Sequence, residues 1–318
     1  MTTETAIEAR GLGRSFGSFT AVDEIDLHVP SGTVFALLGP NGAGKTTTVR
    51  LLSTLLRPTR GSALIFGHDV ARDATAVRSM IGLTGQYASV DENLSAEENL
   101  RIFGQLLGLS RRAAFRRAEE LLDQFELTAA ARRPAGTLSG GMRRRLDLAA
   151  TLITLPPLIF LDEPTTGLDP HTRRQMWDTV RTLVAGGVTI LLTTQYLEEA
   201  DVLADRIAVI DRGVIVAEGT ADELKSSVGE EVLRLELADP ARLLAAMTIA
   251  ERVTGATARV APEGGTLSVP LTDIDGATKV LEELRRAGVR LRRFGVDRPD
   301  LYEVFLALTG GIDHEGVA

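Results

Sequence analysis

Apolar and polar positions change their period several times along this chain. Through the first two-thirds, short apolar or β-branched runs alternate with stretches at helical spacing, which predicts an α/β domain. The strand runs are Val22–Val29, Thr33–Leu38, Ser62–Phe66, Leu158–Leu161, Val188–Thr193 and Arg206–Asp211. From Glu92 to Ala131 the pattern is helical throughout. Ser95 and Glu98 have capping-box spacing, in which each side chain satisfies the other's free backbone N–H. Leu100, Phe103, Leu106 and Leu107 then fall on one helical face. An all-helical insert at about residues 88–138 is expected inside the α/β domain.

Beyond about Ser226 the texture changes. Glu231–Leu237 alternates as a strand, and Asp239-Pro240 supplies an N-cap and a first-turn proline. Thr257–Ala261 and Leu267–Leu271 flank Pro262-Glu263-Gly264-Gly265, a hairpin signal. Ile274, Ala277, Leu281 and Leu284 mark a second helix ending at Gly288, and Val289–Val296 a last strand. The order β-α-β-β-α-β is that of the ferredoxin-like split unit. A helix from Pro299 to Thr309, stopped by Gly310-Gly311, closes the chain. Two domains are expected: residues 1–225, α/β, and residues 226–318, a small α+β domain.

Composition narrows the chemistry. The 318 residues, 44% hydrophobic and 25% charged, fit two globular domains. Without cysteine there are no disulfides, thiolate zinc sites or cysteine nucleophiles, and the four histidines are scattered. A net charge of −8 gives no general attraction to nucleic acid or anionic lipid, so no nucleic-acid partner is expected. The longest apolar stretch, Leu148 to Leu161, contains Pro156 and Pro157 and falls short of the roughly 20 residues of a spanning helix. Acids occupy the N-terminus where a signal peptide carries bases. The reading is a cytoplasmic protein without direct membrane insertion, whose membrane role would come through a partner.

Gly39-Pro40-Asn41-Gly42-Ala43-Gly44-Lys45-Thr46 fits G-x-x-x-x-G-K-[ST] without mismatch, between apolar Val34–Leu38 and helix-compatible Thr47–Leu56. Phosphate oxygens must be met by successive backbone N–H groups in a close turn, hence the glycines. The helix N-terminus adds its positive end. Lys45 can reach the β- and γ-phosphates and the Thr46 hydroxyl can ligate Mg²⁺. Gly39 to Thr47 are therefore read as the lining of a nucleotide site. Downstream, Leu158-Ile159-Phe160-Leu161-Asp162-Glu163 is a buried strand ending in two acids. Asp162 suits a metal-water ligand, and Glu163 a base for an attacking water. Read alone, the same acids would be a solvated turn.

In Thr137-Leu138-Ser139-Gly140-Gly141-Met142-Arg143, Ser139 suits an N-cap, and Gly140 and Gly141 would expose N–H donors to an anion. At this point the chain resembles the ATP-binding-cassette (ABC) ATPases. Their LSGGQ signature faces the γ-phosphate of ATP bound to the other subunit. The resemblance continues in order: Gln86 resembles the glutamine that senses Mg²⁺ and links to the helical insert. Asp169 resembles the aspartate of the loop crossing the dimer interface, and Phe16 or Phe19 the aromatic that stacks on adenine. Met142 replaces the usual signature glutamine. Gln195 stands where most members carry a switch histidine; an amide can hydrogen-bond a γ-phosphate but cannot titrate.

Gln195, the run SGGMRRRLDLAATL and the segment Asp300 to Gly310 are similar to one subfamily, the ATP-binding subunits of daunorubicin/doxorubicin-resistance-type exporters. These are bacterial and pair with a separate permease. The resemblance implies an ATPase on the cytoplasmic face of the membrane, working as a head-to-tail homodimer around two ATP–Mg²⁺. Each ATP would be held by Lys45, Thr46 and Asp162 of one chain and by Ser139 and Gly141 of the other, with Glu163 as base. A soluble ABC ATPase acting on ribosomes or nucleic acid, and an importer ATPase, are the competing readings.

Overall fold

The computed structural model describes residues 5–85, 89–227, 231–260, 266–271, 273–297 and 300–309. The chain divides into two compact units, Met1–Glu218 and Gly219–Ala318. In the first, the strands are β1 (Thr5–Phe16), β2 (Phe19–Pro30), β3 (Val34–Leu38), β4 (Arg60–Ile65), β5 (His68–Asp69), β6 (Ile81–Thr84), β7 (Leu158–Asp162), β8 (Thr189–Thr194), β9 (Arg206–Asp211) and β10 (Val214–Gly219). The helices are α1 (Lys45–Leu52), α2 (Ala74–Met80), α3 (Ala96–Leu106), α4 (Arg111–Gln124), α5 (Gly140–Thr151), α6 (Pro170–Ala185) and α7 (Leu197–Leu203).

Six strands form a central sheet in the order β10-β9-β3-β8-β7-β6, with β6, β7, β8, β3 and β9 parallel. β3, β7 and β8 are buried along their whole length, which is why they read as unbroken apolar runs. Phe35, Leu37, Phe160 and Leu191 face a core shared with α1 and an antiparallel sheet of order β2-β1-β4-β5. Val34, Ile159, Leu161, Ile190 and Leu192 face a second core made with α5, α6 and the helical insert.

The insert departs from one continuous helical stretch. α3 starts at the expected capping box, Ser95 accepting from the Glu98 N–H at 3.2 Å and the Glu98 carboxylate accepting from the Ser95 N–H at 2.9 Å. It stops at Leu106, where Gly108 turns the chain with φ +91 and Ser110 caps α4. A Cβ on Gly104 would lie 2.9 Å from that of Ala114, so its absence lets the two helices cross closely. Leu106 is 76% exposed and Leu107 52%, so the outer half of the expected buried stripe is open.

The second unit contains α8 (Ala221–Ser226), β11 (Glu231–Leu237), α9 (Leu243–Thr254), β12 (Arg259–Val260), β13 (Thr266–Leu271), α10 (Ile274–Arg286), β14 (Leu291–Asp297) and α11 (Leu301–Thr309). Its antiparallel sheet has the order β12-β13-β11-β14, the split βαβ arrangement expected from the order of elements. One face is packed by α9 and α10 through Ala246, Ala250, Ala277, Val280 and Leu284. Within this unit α8 packs against α11. Asp239 caps a short 3₁₀ turn that leads into α9. Pro262 to Gly265, Pro299 and Gly310-Gly311 lie outside the described residues.

Candidate functional site

Three strands of the central sheet end side by side. β3 pairs with β8 up to Leu38 beside Thr194, and β7 pairs with β8 up to Asp162 beside Thr193. The phosphate loop after β3, Asp162-Glu163 at the end of β7 and Gln195 just past β8 therefore leave the sheet at one carboxyl edge. Open parallel sheets bind ligands at that edge.

The loop from Gly39 to Thr46 is shaped by contacts that forbid side chains. A Cβ on Gly39 would come 2.3 Å from the Ile210 carbonyl oxygen, and one on Gly44 2.6 Å from that of Ala21. Gly44 also sits at φ +109 as the N-cap of α1. The Ala43 N–H donates to the Pro40 carbonyl at 3.2 Å, leaving Asn41 and Gly42 as the exposed crest. Thr46 and Thr47, half-buried, lie in the first turn of α1, where N–H groups lack helical partners and the helix dipole is positive.

The Lys45 ammonium is 4% exposed and donates to the carbonyls of Gly39 and Pro40 at 2.8 and 3.0 Å. Its Nζ lies 3.4 Å from Glu163 Oε1. Burial pulls its pKa below the ordinary lysine range, and the Glu163 and Asp162 carboxylates pull it back up. Asp162 Oδ1 accepts from the hydroxyls of Thr46 at 3.2 Å and Thr193 at 2.5 Å. Glu163 has φ +50, a left-handed conformation that costs a non-glycine residue about 1–2 kcal/mol. Its N–H donates to the Thr193 carbonyl and hydroxyl, each at 3.1 Å. Strand-end hydrogen bonding thus holds this carboxylate over the loop.

The hydroxyl of Thr46 and the carboxylate of Asp162 are a hard-oxygen pair beside the phosphate loop. Such a pair fits Mg²⁺, which is commonly bound through one or two protein groups plus substrate phosphates. Among the described residues no cluster of three or more His, Asp or Glu side chains forms a metal cage.

Residues 22–166 match the ABC transporter family profile, and residues 219–309 match the C-terminal domain of DrrA1-3-like ATP-binding proteins. Over 305 residues the chain is 52% identical to the daunorubicin/doxorubicin resistance ATP-binding protein DrrA of Streptomyces peucetius, covering 96% of this chain and 92% of that protein. The chain belongs to the DrrA-type ATP-binding proteins of the ABC transporter family.

It is also 46% identical over 316 residues to the doxorubicin resistance ATP-binding protein DrrA of Mycobacterium tuberculosis strain H37Rv, covering 96% of this chain and 94% of the relative. Identity is 41% over 310 residues to the Nod factor export ATP-binding protein I of Sinorhizobium fredii, covering 96% and 87%. A solved ATP-binding subunit of an ABC transporter superposes with a TM-score of 0.64 at 29% identity, over 70% of this chain and 93% of that one. A dimeric ATP-binding cassette holding ADP and Pi in a post-hydrolysis state superposes with a TM-score of 0.62 at 25% identity, over 67% and 98%. The family is one of ATP hydrolases.

Elsewhere in this DrrA-type cassette, Ser139 caps α5, its hydroxyl accepting from the Met142 N–H at 3.3 Å, with Ser139 and Gly140 exposed. A Cβ on Gly141 would meet Thr172 Cγ2 at 2.4 Å, so the α5 N-terminus abuts the first turn of α6. Asp169 caps α6, accepting from the N–H groups of His171 and Thr172 at 3.0 Å and from the Thr172 hydroxyl at 2.6 Å. Its carboxyl is held below the usual range, chiefly by that hydroxyl. Phe16 and Phe19 face each other across the β1–β2 turn, both exposed, with the Arg14 guanidinium 4.7 Å from the Phe16 ring centroid. Gln195 is half-buried. Gln86 lies outside the described residues.

Sequence reasoning missed Thr193, whose hydroxyl bridges Asp162 and the Glu163 N–H. It also passed over Arg144, the middle of a run of three arginines, and Asp147, both buried on α5. Arg117 in α4 donates to the Leu152 and Ile153 carbonyls at 2.9 and 3.3 Å. A cavity of about 420 Å³ opens between β6 and the insert, lined among others by Gly82, Ser89, Phe103, Leu107 and Asp147.

Proposed function

We propose that this chain is the ATP-hydrolysing subunit of a bacterial membrane exporter. It would couple ATP binding, dimer closure and hydrolysis to efflux of an antibiotic or other amphiphilic compound through a separate permease. The observation that carries the reading is the convergence of Lys45, Thr46, Asp162 and Glu163 at one sheet edge, in a chain 52% identical to a drug-resistance ATP-binding protein.

ATP enters with its phosphates on the loop N–H groups of Gly39 to Thr47, and Lys45 turns its ammonium from Glu163 toward the β- and γ-phosphates. Thr46 and Asp162 would hold Mg²⁺, which supplies charge neutralisation at the phosphate oxygens when bound. Glu163, released from the lysine, accepts the proton of the water that attacks the γ-phosphorus. The amide of Gln195 donates to a γ-oxygen, and Phe16 or Phe19 packs on the adenine. Ser139, Gly140 and Gly141 at the start of α5 complete the site of a second copy docked head to tail. Asp169 lies beside that junction on α6, and Gln86 is proposed as the link to the insert. Binding and dimer closure are then one event.

The exposed Leu106 and Leu107, the second of which lines the cavity beside β6, are the proposed contact for the permease. No helix among the described residues is long and apolar enough to cross a membrane, so attachment at the cytoplasmic face would run through that partner. The test is a pull-down of tagged Glu163→Gln protein from detergent-solubilised membranes, with and without ATP–Mg²⁺. Recovery of a polytopic permease supports the exporter reading. Ribosomes or nucleic acid without a membrane protein would favour a soluble ABC ATPase, and a co-recovered substrate-binding protein an importer.

A further inference from the structure

Arg144 sits in α5, one turn after the glycines that open the helix, and is 9% exposed. Its guanidinium donates to four main-chain carbonyls: Pro164 at 2.9 Å, Gly85 at 2.5 Å, and Asp162 and Glu163 at 3.3 Å each. Three of these belong to consecutive residues at the end of β7, where the chain leaves the sheet and carbonyl oxygens lose their ladder partners. The fourth is at the end of the neighbouring strand, β6. Asp147, one turn further along α5 and 1% exposed, lies 3.7 Å from Arg144. Its other oxygen accepts the Ser89 N–H at 2.7 Å. The pair therefore grips the catalytic turn and, through Gly85 and Ser89, both flanks of residues 86–88.

We infer that Arg144, oriented by Asp147, is a positioning residue for Glu163. It holds the 162–164 turn, with Glu163 in its left-handed conformation, so that the Glu163 carboxylate reaches the attacking water, and ties that turn to the helix carrying Ser139 and Gly141. This rests on the proposed role of Glu163 as base. A planar five-donor fork suits a cluster of diverging carbonyls; a lysine ammonium offers three donors on one atom. Being buried, the guanidinium needs a counter-charge, which Asp147 supplies and Asp162 reinforces. Movement of α5 with the insert would shift Glu163 directly, linking partner engagement to hydrolysis.

The test is a double-mutant cycle on the full chain, reading ATP hydrolysis, ATP affinity and thermal midpoint. Arg144→Lys is expected to lower kcat about 10- to 100-fold while changing ATP affinity less than about twofold. In the Glu163→Gln background the same substitution should cost less than about twofold in residual single-turnover hydrolysis, because the group it positions is already gone. Asp147→Asn keeps the acceptor for Ser89 but removes the counter-charge. It should show the same pattern more weakly, and carries the test if Arg144→Lys fails to fold. An equal fold-loss in both backgrounds, or weakened ATP binding with unchanged kcat, overturns the clamp alone. Undiminished turnover of Glu163→Gln by itself overturns the reading beneath it.

Discussion

Lys45 and Glu163 face each other at 3.4 Å, both nearly sealed from solvent. The proposed phosphate-binding cation and the proposed base thus neutralise each other. The proposed mechanism therefore requires Lys45 to exchange Glu163 for phosphate oxygens before Glu163 can meet the attacking water.

Glu163→Gln should bind ATP with affinity within a few-fold of the wild type and lose turnover on the order of a hundredfold or more. The amide keeps the shape of the site and an oxygen for the Thr166 hydroxyl, which donates to Glu163 Oε2 at 3.4 Å, but cannot serve as the base. The checks are steady-state phosphate release and equilibrium binding of a fluorescent ATP analogue. Normal release would remove Glu163 from the chemistry.

ATP affinity should also depend on pH in a direction fixed by Lys45. Burial lowers its pKa in the free protein, and triphosphate charge raises it in the complex. Binding is then strongest below the free-state pKa and weakens as pH rises through it. Glu163→Gln removes the main raising influence, so the weakening should begin at lower pH. Lys45→Met should bind weakly with little slope. Affinities measured across the alkaline range decide this; a flat wild-type profile would contradict it.

Glu199 provides a stability prediction of opposite origin. It is fully buried on α7, accepts from Trp177 Nε1 at 3.2 Å, and burial raises its pKa, opposed by Thr194, Thr165 and Trp177. A carboxyl with a raised folded-state pKa is favoured protonated. It costs nothing in acid, and its destabilisation grows as pH climbs through the ordinary carboxylate range to its own pKa. Glu199→Gln should match the wild type near pH ~5 and equal or exceed it near pH ~8 in urea unfolding. A deficit that widens with pH would reverse the assignment.

Much of this arrangement was legible in the chain. The phosphate loop, the apolar run into Asp162-Glu163 and the Ser95–Glu98 capping box are local chemistry, fixed by residues a few positions apart. β1 escaped notice because Gly11, Gly13 and the charged positions Glu8, Arg10 and Arg14 break its alternation, and its pairing with β2 carries several register shifts. Arg144 escaped for a different reason. In the run Arg143 to Arg145 composition says only that a helix face is basic, and which arginine turns inward depends on a strand end 18 residues away. Leu106 and Leu107 matched a buried stripe at helical spacing, yet α3 ends there, so periodicity overran the element.

Gln195 separates two accounts of the strand end that follows β8. With an amide at this position, wild-type turnover should show no pH step attributable to it. Gln195→His should introduce one near the ordinary histidine range, about pH 6.5, if the side chain meets the γ-phosphate. Absence of a new step in an active variant would assign Gln195 to the sheet edge alone.

The junction of α5 and α6 gives the sharpest steric prediction. Gly141→Ala places a methyl 2.4 Å from Thr172 Cγ2, while Thr172 is committed to Asp169 through its hydroxyl at 2.6 Å. The substitution should push the signature turn away from α6 and reduce ATP-dependent dimerisation about tenfold or more, leaving binding of ATP to the monomer's own loop unchanged. Thr172→Ser deletes the offending methyl and keeps the hydroxyl bond to Asp169. In the Gly141→Ala background it should therefore recover most of the lost dimer, measured by light scattering with Glu163→Gln present to hold ATP intact. Failure of that rescue would mean the glycine is needed for N–H access to phosphate rather than for clearance.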